Sequence, residues 1–215
     1  NRLFDMGCEL VILACNTASE KALRTIQQKD RPKLSSTKRV LGVIRPTAEI
    51  VGKYSKTGHV GVLGTTGTIA SKSYPMEIAK FYPDIVVHQE ACPMWVPIIE
   101  NNEIETKGAD FFINKHIQQL LANDSKIDTI ILGCTHYPLL IDQIKKYVPE
   151  SSTILAQGKI VAESLTDYLK RHTELEKKCS KGGTVDFYTT DDAANFNAAA
   201  SFFYEKQVHS THLKL

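Results

Sequence analysis

The chain has 215 residues, enough for one large domain or two of roughly 100 residues each. Its 42% hydrophobic and 23% charged residues are ordinary for a folded globular chain, and a net charge of +2 offers no electrostatic reason to expect nucleic acid or an anionic membrane as partner. No apolar stretch approaches the ~20 residues of a transmembrane helix. The five cysteines form no C-x-x-C pair and leave an odd count, which speaks against a disulfide framework or zinc knuckle and for free thiols in a reducing cytoplasm.

In chain order, residues 2–7 read as the end of a helix that feeds straight into a strand at 8–14. The chain opens at Asn1 rather than Met, so a preceding N-terminal portion is expected. Residues 17–28 have helical spacing, 40–44 read as a second strand stopped by Arg45-Pro46, and 47–53 suit a helix. A third strand at 59–63 runs into Gly64-Thr65-Thr66-Gly67-Thr68 and a helix at 70–79. A fourth strand is expected at 85–88, with helices at 96–100 and 111–122. A fifth at 129–132 precedes a helix at 138–147, and a sixth at 153–155 precedes a helix at 160–172. After a polar loop at 177–183 come a last strand at 185–189 and a last helix at 193–203.

Alternating apolar strands and helices imply an α/β fold with parallel sheets covered on both faces. The natural break falls near residues 55–58, and the C-terminal segment is expected to return and complete the first sheet. That divides the chain into 1–57 plus 155–215 as one domain and 58–154 as the other.

In open α/β sheets, ligands bind at the carboxyl ends of strands, and two strand ends here say nearly the same thing. Val11-Ile12-Leu13-Ala14-Cys15-Asn16-Thr17 and Ile130-Ile131-Leu132-Gly133-Cys134-Thr135-His136 are each an apolar run that delivers a cysteine followed by hydrogen-bonding residues. Unpaired N–H groups at a helix start favour an anion and stabilise a thiolate. The bland reading makes Cys15 a small buried hydrophobe and Asn16 or Thr17 a simple cap. His136 could pair with Cys134 or with a carboxylate. Glu100 is either that carboxylate, buried and orienting His136, or a solvent-facing residue. The Gly64–Thr68 turn suits a generic carboxylate or phosphate cradle as well as a plain turn, and it lacks the Lys of a P-loop. Cys8 and Cys179 read as incidental, and Cys92 and Trp95 as packing residues.

These motifs together resemble the glutamate racemase family. Ala14-Cys15-Asn16-Thr17-Ala18-Ser19, Gly64-Thr65-Thr66-Gly67-Thr68, Ala91-Cys92-Pro93 with Val96-Pro97, and Leu132-Gly133-Cys134-Thr135-His136-Tyr137-Pro138-Leu139 carry the likeness over essentially the whole chain, to Phe187-Tyr188-Thr189-Thr190. Single motifs also admit aspartate racemase. The resemblance implies two pseudo-symmetric domains with the active site in the cleft between them. It implies Cys15 and Cys134 as catalytic acid/base thiols, and Asn16, Thr17, Thr135 and His136 as substrate-binding residues. Thr65, Thr66 and Thr68 resemble the turn beside the substrate carboxylate, and Glu100 resembles an acidic residue assisting the second thiol. It further implies glutamate as the small-molecule substrate, no cofactor or metal, no nucleic acid or membrane partner, a homodimer, and a cytoplasmic role in supplying D-glutamate for peptidoglycan.

The family's Asp-Ser-Gly-type and Pro-Tyr-Gly-type turns near the N-terminus are not found, so the carboxylate assisting Cys15 is expected in the preceding segment. Arg45-Pro46 stands where relatives often have Glu-Pro, and Ala156-Gln157-Gly158 where many have an Asp-Ser-like turn. Rival readings are a thiol hydrolase built on Cys134 and His136, and an inactive carboxylate-binding fragment.

Overall fold

A computed structural model describes residues 2–30 and 37–214. Helix α1 (Arg2–Asp5) is closed by Gly7, whose φ of +94° lies in the left-handed region where a side chain would be strained. Strands β1 (Leu10–Leu13) and β2 (Arg39–Gly42) pair in parallel, Leu10 opposite Arg39. Between them runs α2 (Asn16–Thr25), continued by one π turn at Ile26–Asp30. The helix lies close on β2 because Gly42 has no side chain: a Cβ there would stand 2.7 Å from Leu23 Cδ2. Helix α3 (Ile44–Ile50) begins three residues earlier than expected and ends in a 3₁₀ turn at Val51–Lys53.

The main sheet holds four parallel strands in the order β4 (Val86–Ala91), β3 (His59–Gly64), β5 (Thr129–Gly133), β6 (Thr153–Leu155). Both faces of the inner strands are apolar, so their side chains divide between two cores by simple alternation. Val60, Val62 and Ile131 pack with Ile44, Ala48, Tyr74 and Ile78, while Leu63, Ile130 and Leu132 pack with Trp95, Ile113, Ile117 and Leu120. The first core is covered by α3, α5 (Ser73–Ile78) and α9 (Gln157–Arg171), and the second by α6 (Trp95–Glu100), α7 (Lys107–Asn123) and α8 (Ile141–Lys145).

The helix expected at 70–79 is two helices, α4 (Thr66–Ala70) and α5. Lys72 between them has φ 56°, and Ser71 Oγ accepts from the Ser73 amide at 3.1 Å, which holds the break. The helix expected at 138–147 is a 3₁₀ turn, Tyr137–Leu140, followed by α8. After the short α10 (Thr173–Glu176) comes β7 (Phe187–Thr189), which does not complete the first sheet. It pairs in parallel with β8 (Ser210–His212), a strand with no apolar signal, across α11 (Ala193–Tyr204), whose Asp192 cap accepts from the Asn195 amide at 2.8 Å. The result is a mixed α/β fold of parallel sheets flanked by helices.

Candidate active site

Cys15 stands two residues beyond the end of β1 as the cap of α2, with extended backbone (φ −81°, ψ 129°) and an exposed side chain. Its carbonyl accepts from the Ser19 amide at 2.8 Å, so the thiol sits beside a helix start. The cap is Cys15 itself, without a side-chain hydrogen bond; Asn16 is already inside the helix and is committed elsewhere.

Asn16 is almost fully buried. Its Nδ2 donates to Gln157 Oε1 at 2.7 Å, and its Oδ1 accepts from the Tyr74 hydroxyl at 2.8 Å. Gln157 Nε2 in turn donates to the Val43 carbonyl at 3.0 Å and to Thr47 Oγ1 at 3.3 Å. One polar chain therefore ties the starts of α2 and α9 to α3 and α5. Burial pushes the Tyr74 phenol far above its ordinary value, and charge on Cys134 adds to the rise, so this hydroxyl is a permanent neutral donor.

Thr17, Thr65 and Thr68 form a ring of hydroxyls. Thr17 Oγ1 lies 3.0 Å from Thr65 Oγ1 and 3.2 Å from Thr68 Oγ1, and the Thr65 hydroxyl donates to Thr68 Oγ1 at 3.1 Å. Thr65 also caps α4, its Oγ1 accepting from the Thr68 amide. A Cβ on Gly67 would stand 3.2 Å from Thr17 Cγ2, so the turn approaches α2 closely. Thr66 and Thr135 are exposed and lie outside this ring.

Cys134 follows Gly133 at the carboxyl end of β5 and is 8% exposed. Burial raises its thiol above the ordinary value, and charge on Cys15 and Glu100 raises it further, while the backbone amides of His136 and Tyr137 pull it down. His136 Nδ1 is 3.8 Å from Cys134 Sγ, and its Nε2 is 3.2 Å from Glu100 Oε1. Glu100 is not the buried carboxylate of one sequence reading: it faces solvent, its side chain 56% exposed, while still pairing with His136.

Behind this strand end, the Tyr137 hydroxyl donates to the Cys92 carbonyl at 3.0 Å and the ring packs edge-on to Trp95 at 4.8 Å. Cys92 and Trp95 are fully buried, which agrees with a packing role. Burial also pushes the Cys92 thiol up. A cavity of about 690 Å³ lies elsewhere, between α2, α3, α5 and α9; neither Cys15 nor Cys134 lines it. The thiols and their polar partners, not cavity volume, mark the site. Tyr74 carried no sequence signal of its own, whereas Gln157 followed a strand end and could have been suspected there.

Two thiols at the carboxyl ends of parallel strands suit proton transfer at a carbon, while Cys134, His136 and Glu100 also stand in nucleophile–base–carboxylate order. The chain belongs to the Asp/Glu/hydantoin racemase family, whose description matches residues 1–165. Within that family it is similar to glutamate racemases. It is 35% identical to the glutamate racemase of Persephonella marina, covering all of this chain and 76% of the relative. It is 37% identical to that of Roseobacter denitrificans, covering 96% of this chain and 77% of the relative. Among solved structures, a glutamate racemase from Bacillus anthracis superimposes with a TM-score of 0.85 at 31% identity, over the whole chain and 79% of that protein. The Francisella tularensis enzyme, in complex with D-glutamate, superimposes with a TM-score of 0.82 at 26% identity, over the whole chain and 75% of that protein.

Proposed function

We propose that the protein interconverts L-glutamate and D-glutamate by moving a proton at Cα between Cys15 and Cys134, without a cofactor. The observation that supports this most is the placement of two thiols just beyond the carboxyl ends of parallel strands, Cys15 after β1 and Cys134 after β5. D-Glutamate is bound by the similar Francisella protein.

Inverting an α-carbon requires removing its proton from one face and returning a proton to the other. A matched pair of groups does both, each a base in one direction and an acid in the other. With Cys15 as thiolate, the Cα–H bond breaks toward its sulfur and the electron pair stays on carbon. Cys134, kept protonated by its burial, then delivers its proton to the opposite face. Hydroxyls of Thr17, Thr65 and Thr68 hold the substrate carboxylate and stabilise the charge developing beside it. Asn16 reaches the substrate through its remaining amide hydrogen, Thr66 and Thr135 from the exposed rim, and His136 with Glu100 positions the Cys134 sulfur. The reading includes a cytoplasmic homodimer supplying D-glutamate for peptidoglycan. Among the described residues, no helix is long and apolar enough to cross a membrane.

The test is racemisation in D₂O by Cys15→Ser and Cys134→Ser. Each variant should lose racemisation, while retaining exchange of the α-proton with one enantiomer more than the other. Undiminished racemisation by either variant would sink the two-thiol assignment. Trapping of an acyl group on Cys134 would favour the hydrolase instead, and binding of D-glutamate without any deuterium entering Cα would favour a carboxylate-binding protein.

A further inference from the structure

At the opposite edge of the main sheet, three side chains converge for which the racemase chemistry has no use. His59 Nδ1 lies 2.7 Å and His88 Nε2 3.2 Å from the same oxygen, Asp124 Oδ2. The three candidate ligand atoms all fall within 4.8 Å of one another, a grouping unmatched by other His, Cys, Asp or Glu sets among the described residues. We infer that His59, His88 and Asp124 form a binding site for a divalent transition metal of the zinc or cobalt type.

The backbone builds this cluster. Gly61 is paired with His88 across β3 and β4, and His59 precedes Gly61 by two residues, so both imidazoles project from one face of the sheet. A Cβ on Gly61 would stand 2.7 Å from Leu120 Cδ2, so the glycine lets α7 settle directly on that face. This seats Asp124, which caps the carboxyl end of α7, against the two rings. The rings lie nearly parallel, 6.4 Å apart with an interplanar angle of 13°. The Lys126 amide donates to Asp124 Oδ1 at 2.8 Å, which fixes the carboxylate and leaves Oδ2 for the cluster.

The electrostatics favour a cation. The carboxyl end of a 17-residue helix presents the negative pole of its dipole at this point. The Lys126 amide, helped by His59 and His88, holds the Asp124 carboxyl below its ordinary value against the opposing effect of burial. Bound to a metal, each neutral imidazole carries its one proton on the ring nitrogen facing away from the cluster, so the nitrogen beside Oδ2 offers a lone pair. Ligands around a tetrahedral zinc ion sit about 3.3 Å apart for bonds near 2.0 Å, close to the 2.7 and 3.2 Å that separate the two imidazole nitrogens from Asp124 Oδ2. Two imidazoles and one carboxylate suit zinc, cobalt, nickel or copper rather than magnesium or calcium. The side chains are 19–22% exposed, so water can complete the coordination.

The competing reading is a hydrogen-bonded cluster of one carboxylate with two imidazoles and no metal. Titrating the metal-free protein with Co²⁺ separates the two. The expected result is one tight Co²⁺ per chain, with d–d absorption of a nitrogen/oxygen site, no thiolate charge-transfer band, and persistence in Cys15→Ser. Adding Zn²⁺ should displace the cobalt and raise the melting temperature. His88→Gln should weaken Co²⁺ binding at least tenfold. Asp124→Asn should do the same, and its melting curve in chelator shows whether the fold is kept. Absence of such a spectrum, a cobalt–thiolate spectrum, or unchanged affinity in both variants would overturn the site.

Discussion

Replacing Tyr74 by Phe removes a single oxygen from the interior and tests whether the buried polar chain positions Cys15. The Tyr74 side chain is fully buried, and its hydroxyl donates to Asn16 Oδ1, itself on a residue only 2% exposed. Deleting the donor leaves that amide oxygen sealed from water without its hydrogen bond, a cost of about 1–3 kcal/mol. The phenylalanine ring fills nearly the same space, so little of the loss comes from packing. Asn16 follows Cys15 directly, so an amide freed to turn lets the start of α2 shift under the thiol. Urea unfolding of Tyr74→Phe should show the stability loss, and racemisation measured from both enantiomers should fall in the folded enzyme. Tyr82→Phe is the control: its hydroxyl donates to the Glu49 carbonyl at 2.9 Å, away from both thiols, and activity should survive. A Tyr74→Phe enzyme as stable and as active as the parent would refute the positioning role of this chain.

Asp128 accepts hydrogen bonds from the Ser55 hydroxyl at 2.7 Å, the Lys56 and Thr57 amides at 2.7 and 2.8 Å, and the Thr129 hydroxyl at 3.0 Å. Burial opposes its charge, but these donors together outweigh burial and hold the carboxyl at about 2 instead of 3.8. Because the folded value is depressed, the stabilisation is present above about pH 4 and is lost as pH falls toward 2; it amounts to at most about 2 kcal/mol, reduced by partial contact with solvent. Asp128→Asn should therefore lower stability at pH 7 and flatten its acid dependence, as followed by denaturant melts across that window. Glu100→Gln removes one of the charges that raise Cys134, so the alkaline limb of racemisation should move to lower pH. Its stability should change by less than about 1 kcal/mol, because the pair it forms with His136 is exposed. An unmoved pH profile would remove Glu100 from the site.

The strands around the two thiols were legible because each is a short apolar run ending on small residues before a polar turn. Residues 59–63 and 129–132 match β3 and β5 to within one residue at their ends. Helix boundaries were harder. Proline and threonine suggested starts, whereas tertiary contacts let α3 begin at Ile44 and Lys72 break the helix after α4. Strand β8 is polar and three residues long, so alternation had nothing to detect. Cys15, Cys134 and their flanking polar residues could be read locally, since each motif is continuous in sequence. The contacts of Asn16 with Tyr74 and Gln157, and the meeting of His59, His88 and Asp124, depend on pairings far apart along the chain. No local pattern encodes them.

The ring made by Thr17, Thr65 and Thr68 has one more property. With Thr65 donating to Thr68, the circle closes if Thr68 donates to Thr17 and Thr17 to Thr65. Every hydroxyl then gives one hydrogen to the next and receives one from the last, all in the same rotational sense, and Thr65 takes a second from the Thr68 amide. A carboxylate that docks here trades partners one for one: a hydroxyl hydrogen swings from its neighbour to the incoming oxygen, and the circle opens into a line pointing at the ligand. When product leaves, the line recloses. The site can therefore pass between two self-consistent arrangements of the same three hydrogens, and neither leaves a buried hydroxyl without a partner.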